Sequence, residues 1–307
     1  MKGQHFSNEA DGFYGIYFKN QKPSKCAVIA MLGDDAGDYL AKRGAKWLMS
    51  FGLNVMTMSP AKKSYNHVNY PIERIGAAVQ WLRTNGNQKV GILGMSTTGM
   101  SALAAASYYP EITLTIALTP SDFVWQGFEQ GKKDGVTEWP IPNASTLSWQ
   151  GKALAYMPFV YQHPEYGRKI IEETKGSGDM IRSTWIFNDS EKANPLTEEQ
   201  MIKVENIKGR LFLVAAEDDS FWNTAKYVRR MDERLKNRPH DCEYQALVYQ
   251  YGTHFVIPES FMKSIAPFSK QILKFVFRSA KEHPKECRQT RIDIEKHLSE
   301  EIKDWMA

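Results

Sequence analysis

The chain has 307 residues, of which 42% are hydrophobic and 24% charged, an ordinary composition for a globular protein. Its formal net charge of +4 is small for the size and comes from scattered Lys and Arg, which argues against a nucleic-acid partner. No apolar run approaches membrane length, and the first residues lack the apolar core of a secretory signal.

Residues 12–18 alternate enough to make a strand, and 19–23 turn the chain. The apolar run 26–32 is a more buried strand that ends in a flexible loop, 33–37. A helix over 39–51 follows, with Gly52 as its C-cap. The next strand is 53–58. Residues 61–70 are polar and turn-like, and Pro71 stands at the favoured first position of a helix whose apolar stripe is Ile72, Ile75, Val79 and Leu82.

The stretch after that helix carries the chemistry. Residues 90–93 read as a strand buried on both faces, and from Met100 small helix formers let a helix lie close to the sheet. Between them, Gly94-Met95-Ser96-Thr97-Thr98-Gly99 has the form of a nucleophile elbow, a tight turn that holds a serine hydroxyl above a sheet edge. Gly94 to Ser101 also has the glycine spacing of a phosphate-binding loop. Met100, however, stands where that loop needs a charged lysine, which removes the phosphate reading.

Residues 112–118 form another strand. From 119 the pattern loosens into aromatics, prolines and glycines with two polar helical stretches, so residues 120–206 are expected to be a cap inserted over the carboxyl edge of the sheet. The core resumes with a strand over 210–216, a helix over 223–236 and a strand over 242–249. Helical stretches at about 259–280 and 288–305 finish the chain.

Strands alternating with helices predict a single α/β domain over residues 1–307, with a mostly parallel sheet and helices on both faces. Reactive groups in such a sheet gather beyond the carboxyl ends of the strands. Ser96, the pair Asp218-Asp219 and His254 stand there, in the chain order of the α/β-hydrolase triad. A serine hydroxyl needs a base. Of the seven histidines, His254 directly follows a strand, whereas His5, His67, His163, His240, His283 and His297 read as solvated residues of termini, loops or exposed helices. Asp219 is the expected acid that orients the imidazole. Asp218 is its rival, with capping of the next helix as its other role. The oxyanion of acyl transfer needs two aimed N–H donors, expected from Thr97 and Asp34. Cys26, Cys242 and Cys287 are far apart, without metal-type spacing, and read as free thiols of a reducing cytoplasm. Neither a metal nor a cofactor is called for.

Longer motifs surround these residues: Leu32-Gly33 with Ala36-Gly37, Tyr70-Pro-Ile-Glu-Arg, Leu93-Gly-Met-Ser96, Ser121-Asp-Phe-Val-Trp-Gln-Gly127, Trp149-Gln-Gly-Lys-Ala-Leu-Ala-Tyr156, Glu217-Asp-Asp-Ser-Phe-Trp222 and Gly252-Thr-His254. Together, from about residue 27 to 258, they resemble the C-terminal hydrolase domain shared by acyl-CoA thioesterases and bile acid-CoA:amino acid N-acyltransferases. The resemblance implies the α/β-hydrolase fold, Ser96, Asp219 and His254 as the triad, and an acyl thioester as the small-molecule substrate. Gly33, Trp125 and Trp222 are the expected substrate contacts, and Lys62 and Lys63 read either as a contact for the phosphates of a CoA group or as a solvated, exposed pair. Two departures stand out. Thr98 occupies a position usually held by glycine and is expected to crowd the elbow. The nucleophile is serine rather than the cysteine associated with the amino-acid acyltransferase, which favours water as the acceptor. The expected activity is therefore acyl thioester hydrolysis through an acyl-enzyme. The alternatives are a carboxylesterase or peptidase on the same fold, or a catalytically silent relative that only binds.

Overall fold

A computed structural model describes residues 2–130, 138–266 and 269–307. Nearly uncharged runs build the middle of its main sheet: β3 (Cys26–Met31), β4 (Asn54–Met58), β5 (Lys89–Met95), β6 (Ile112–Leu118) and β7 (Arg210–Ala216). With β1 (Gln4–Phe6), β2 (Gly15–Phe18) and β8 (Glu243–Tyr249) they form eight strands in the order β1-β2-β4-β3-β5-β6-β7-β8. Neighbours are parallel except where β2 meets β1 and β4. Every residue of β3 and β4 is buried. A sheet covered on both faces requires this, and it is why these strands read as continuous apolar runs.

Two apolar layers lie on the two faces. In β3, Ala27, Ile29 and Met31 point into one layer and Cys26, Val28 and Ala30 into the other, the two-residue period of a pleated strand. The first layer is closed by α2 (Glu73–Thr84), α3 (Thr97–Tyr108) and α6 (Thr224–Asn237). The second is closed by α1 (Tyr39–Met49), α7 (Glu259–Ile265) and the long α10 (Pro284–Met306). Between α7 and α10 lie α8 (Ser269–Val276) and α9 (Arg278–Glu282), so the expected continuous helix over 259–280 is broken; its residues 267–268 are outside the described residues.

Between β6 and β7 the chain leaves the sheet. It makes a ribbon of Gln126–Gln130 with Glu138–Ser145, then short strands Leu147–Trp149 and Lys152–Ala153, then α4 (Glu165–Thr174) and α5 (Thr184–Ala193). Residues 131–137 of the expected insertion are outside the described residues. The two helices match the expected helical stretches, but the strands were not anticipated. One of them overturns the reading of Pro71. Tyr70–Pro71 pairs with Leu147–Ser148, Ile72 N–H donates to Ser148 O at 3.0 Å, and α2 begins only at Glu73. Proline's fixed φ suits an extended residue as well as a first helical one, and the distant partner decides.

His67 also departs from expectation. Its backbone exchanges hydrogen bonds with Phe128 (2.9 and 3.0 Å), which draws the side chain to 0% exposure beside the rings of Tyr65, Tyr70 and Phe128. A polar loop has supplied a core histidine.

Candidate active site

The junction of β5 and α3 is one residue long, Ser96 itself. Ser96 takes φ 63° and ψ −131°, and its N–H is held by Leu118 O at 2.9 Å. This is a strained conformation for a residue with a side chain. The turn is closed so tightly that a Cβ on Gly94 would lie 2.1 Å from Thr98 O. Thr98 does not crowd it. Its hydroxyl accepts the Met95 N–H at 3.0 Å and donates toward Met31 O at 2.6 Å, tying the elbow to the end of β3. The expected steric conflict is replaced by a clamp. Thr97 is the first residue of α3, so its N–H lies outside the helical ladder, at the positive end of the helix.

Beyond β8, Thr253 takes φ 62° and is followed by His254, which is 2% exposed. Its Nδ1 lies 2.8 Å from Asp219 Oδ2 and 3.0 Å from Oδ1. Contact with a carboxylate places the ring proton on Nδ1 and leaves Nε2 as an acceptor. Asp219 is itself fixed, accepting the Phe221 N–H at 2.9 Å and the Thr224 hydroxyl at 3.0 Å. The imidazole stacks on Phe221 (4.2 Å, 10°) and meets Trp222 edge-on (4.9 Å, 79°). Its Nε2 is buried and has no hydrogen-bond partner among the described residues. Asp218 turns away from the ring, toward the backbone of Gly252 and Thr253. It does not take the expected capping role either.

Ser96 and His254 line one cavity of about 260 Å³ with Gly33, Asp34 and Trp222. Tyr166 and Ile170 of α4, Ile181 ahead of α5 and Phe187 of α5 close it from the segment inserted between β6 and β7. Trp125 lies one layer behind the cavity wall, 1% exposed, with its ring 5.0 Å from Trp222 and 5.2 Å from Phe187. Asp34 departs from its expected part. Its N–H is held by Asp38 Oδ2 at 2.8 Å, because Asp38 caps α1 through Oδ1 and folds its other oxygen back over the loop. Gly33 makes room for that carboxylate: it has φ 82°, and a Cβ there would lie 2.4 Å from Asp38 Oδ2. Burial raises the Asp34 carboxyl above its ordinary pKa. Lys62 and Lys63 are exposed on the loop that brings Tyr65 to the cavity, and the Lys63 N–H is held by Asp35.

A feature that sequence reasoning missed adjoins this cavity. An apolar space of about 330 Å³ shares Leu32, Leu40, Met95 and Phe255 with it and runs on between α1, α7 and α8, past Phe261, Ile265 and Val276. Its walls come from elements far apart in the chain, and the spacing along any one of them does not report a gap between them.

Residues 71–278, more than half of the chain, match the family described as BAAT / acyl-CoA thioester hydrolase C terminal. The chain belongs to this family. The matched span includes Ser96, Asp219 and His254. Solved structures share the fold across the whole chain. An esterase from Pyrococcus furiosus, Pf2001, is 16% identical with a TM-score of 0.54, covering 100% of this chain and 91% of its own. The carboxylesterase Cest-2923 from Lactobacillus plantarum is 12% identical with a TM-score of 0.53, covering 100% and 99%. An acylaminoacyl peptidase from Pyrococcus horikoshii is 11% identical with a TM-score of 0.51, covering 99% of this chain and 42% of that one. No curated protein matched. The fold is that of the α/β-hydrolases, and the family is one of hydrolase-type enzymes. Among the described residues, no helix is long and apolar enough to cross a membrane.

Proposed function

We propose that this protein is a serine hydrolase that cleaves an acyl thioester through an acyl-enzyme intermediate. One observation carries the reading: a buried imidazole bonded to a carboxylate through Nδ1, with Nε2 unpartnered, in the same cavity as a serine on a strained strand-to-helix turn. Ser96 Oγ attacks the acyl carbon and its proton passes to His254 Nε2. The C–S or C–O bond then breaks as Nε2 returns the proton to the leaving group. Water repeats the sequence on the acyl-enzyme and releases the acid. Asp219 keeps His254 in the required tautomer and stabilises the imidazolium. The N–H of Thr97, at the start of α3, is the oxyanion donor this reading retains. The second donor expected from Asp34 is engaged by Asp38, so it serves only if the loop yields that bond to the oxyanion. The acyl chain leaves the cavity along the apolar space behind Met95 and Phe255, and this reading assigns the phosphates of a CoA leaving group to Lys62 and Lys63, exposed on the loop that carries Tyr65 to the cavity.

The deciding measurement is kcat/KM on a series of acyl-CoAs beside matched p-nitrophenyl esters, with labelling of Ser96 by a fluorophosphonate probe. Thioester cleavage that exceeds ester cleavage, and that falls by about 10⁴-fold or more in Ser96→Ala, is the expected outcome. Ester cleavage without any gain from CoA makes the protein a carboxylesterase on the same site. An unlabelled Ser96 in a folded protein rejects the mechanism altogether.

A further inference from the structure

Asp218 is a half-buried carboxylate beside the triad that the mechanism leaves without a part. Its Oδ1 accepts two consecutive backbone N–H groups, Gly252 at 2.9 Å and Thr253 at 2.8 Å. Its Oδ2 accepts the hydroxyl of Ser279, on α9. Burial raises its pKa, against the three hydrogen bonds, which favour the charged form. Thr253 is a β-branched residue held at φ 62°, a backbone region such residues avoid unless the surroundings impose it. The next residue is His254. Other contacts hold the same short loop: Thr119 Oγ1 donates to His254 O at 3.3 Å, and Thr290 Oγ1 donates to Tyr251 O. Asp218 alone among these accepts the backbone N–H groups of the two residues that precede the histidine.

We propose that Asp218 is a positioning residue for catalysis, a carboxylate bridge from α9 that imposes the Gly252-Thr253 backbone conformation and thereby aims His254 Nε2 into the cavity. The proposal rests on the reading of His254 as the base. The neighbouring aspartates then divide the work: Asp219 holds the imidazole and Asp218 holds the backbone that carries it. Ser279, the far anchor, lies one residue beyond the span that matches the family. The histidine loop is thus fastened to a helix that begins at the last residue of that span.

The bridge needs acceptor geometry rather than charge. In Asp218→Asn the remaining oxygen can still take both backbone N–H groups, while the new amide donates to the Ser279 oxygen. Asp218→Ala leaves all three groups unmet. The test measures kcat and KM for Asp218→Ala, Asp218→Asn and Ser279→Ala on the best ester or thioester substrate, alongside the low-field NMR signal of the His254 Nδ1 proton. The expected result is a kcat loss of about a hundredfold for Asp218→Ala, with KM little changed and the Nδ1 signal broadened or shifted. Asp218→Asn should recover most of that loss, and Ser279→Ala should show a smaller loss in the same direction. A folded Asp218→Ala with wild-type kcat overturns the proposal. So does an Asn variant as impaired as the Ala variant, because that would make the negative charge the essential property. If Asp218→Ala does not fold, Ser279→Ala decides, and unchanged kcat there also overturns it. Wild-type protein that hydrolyses none of the substrates and leaves Ser96 unlabelled would instead defeat the underlying hydrolase reading.

Discussion

Thr98 shows how one side chain can change the meaning of a motif. At a position where a tight elbow ordinarily takes glycine, its hydroxyl replaces the missing space with hydrogen bonds, to the Met95 N–H and to Met31 O. Thr98→Val keeps the shape and removes the bonds, so it should lose about 1–3 kcal/mol of stability for the unpaired buried groups. Thr98→Ser, which keeps the hydroxyl, should lose less. Urea unfolding checks this, and a valine variant as stable as wild type would mean that shape alone holds the turn. The clamp matters because the backbone here is strained. Of the seven described non-glycine residues with positive φ, Ser96, Thr119 and Thr253 stand just beyond β5, β6 and β8 and surround the site. Thr119 links the histidine loop to the residues after β7: its carbonyl accepts the Trp222 indole N–H at 3.3 Å while its hydroxyl holds His254 O. Strain concentrated at three strand ends, and overridden by such bonds, is characteristic of a preorganised site.

At the scale of elements, the sheet was readable because its strands are apolar on both faces and bounded by turns. β6 and β7 fall on the expected residues, 112–118 and 210–216. The order Ser96, Asp219, His254 could be read for the same reason, since each follows a strand. The unread parts depend on partners far away in sequence. Pro71 meets Leu147–Ser148 and Asp218 meets Ser279, neither of which local spacing records. The apolar space between α1, α7 and α8 belongs to this class, and it carries its own prediction. Ile265 and Val276 are half-buried on its wall, so a larger side chain should enter the space without emptying the core. Each methylene denied burial costs about 0.8 kcal/mol. Ile265→Trp and Val276→Trp should therefore lower the ratio of kcat/KM for decanoyl over acetyl substrates roughly tenfold or more, with acetyl turnover preserved. An unchanged ratio in both variants would place the acyl chain elsewhere, under α4 and α5.

For the whole molecule, stability joins these parts, and His67 makes it depend on pH. The residue was read as solvated because its neighbours in sequence are polar, yet pairing of its backbone with Phe128 carries it into the first apolar layer. There Nδ1 bonds Tyr65 O at 2.7 Å, and Nε2 is buried without a partner among the described residues. Burial lowers its pKa from 6.5 to about 4. Between those values the unfolded chain binds a proton that the folded chain refuses, so unfolding is favoured as pH falls through that window. At about 1.4 kcal/mol per pKa unit, the loss by pH 4 is about 3 kcal/mol. Above pH 6.5 neither state is protonated and the residue contributes no pH dependence. His67→Phe keeps the ring contacts with Phe128 and Tyr70 and removes the titration. Its stability, measured by urea unfolding at half-unit steps from pH 4 to 8, should fall less steeply below pH 6.5 than that of wild type, by up to one proton. The comparison of slopes is independent of whatever the lost hydrogen bond to Tyr65 costs at neutral pH. Parallel curves over pH 4–6.5 would show that the imidazole takes up its proton in the folded protein, through an opening of the loop at residues 61–69.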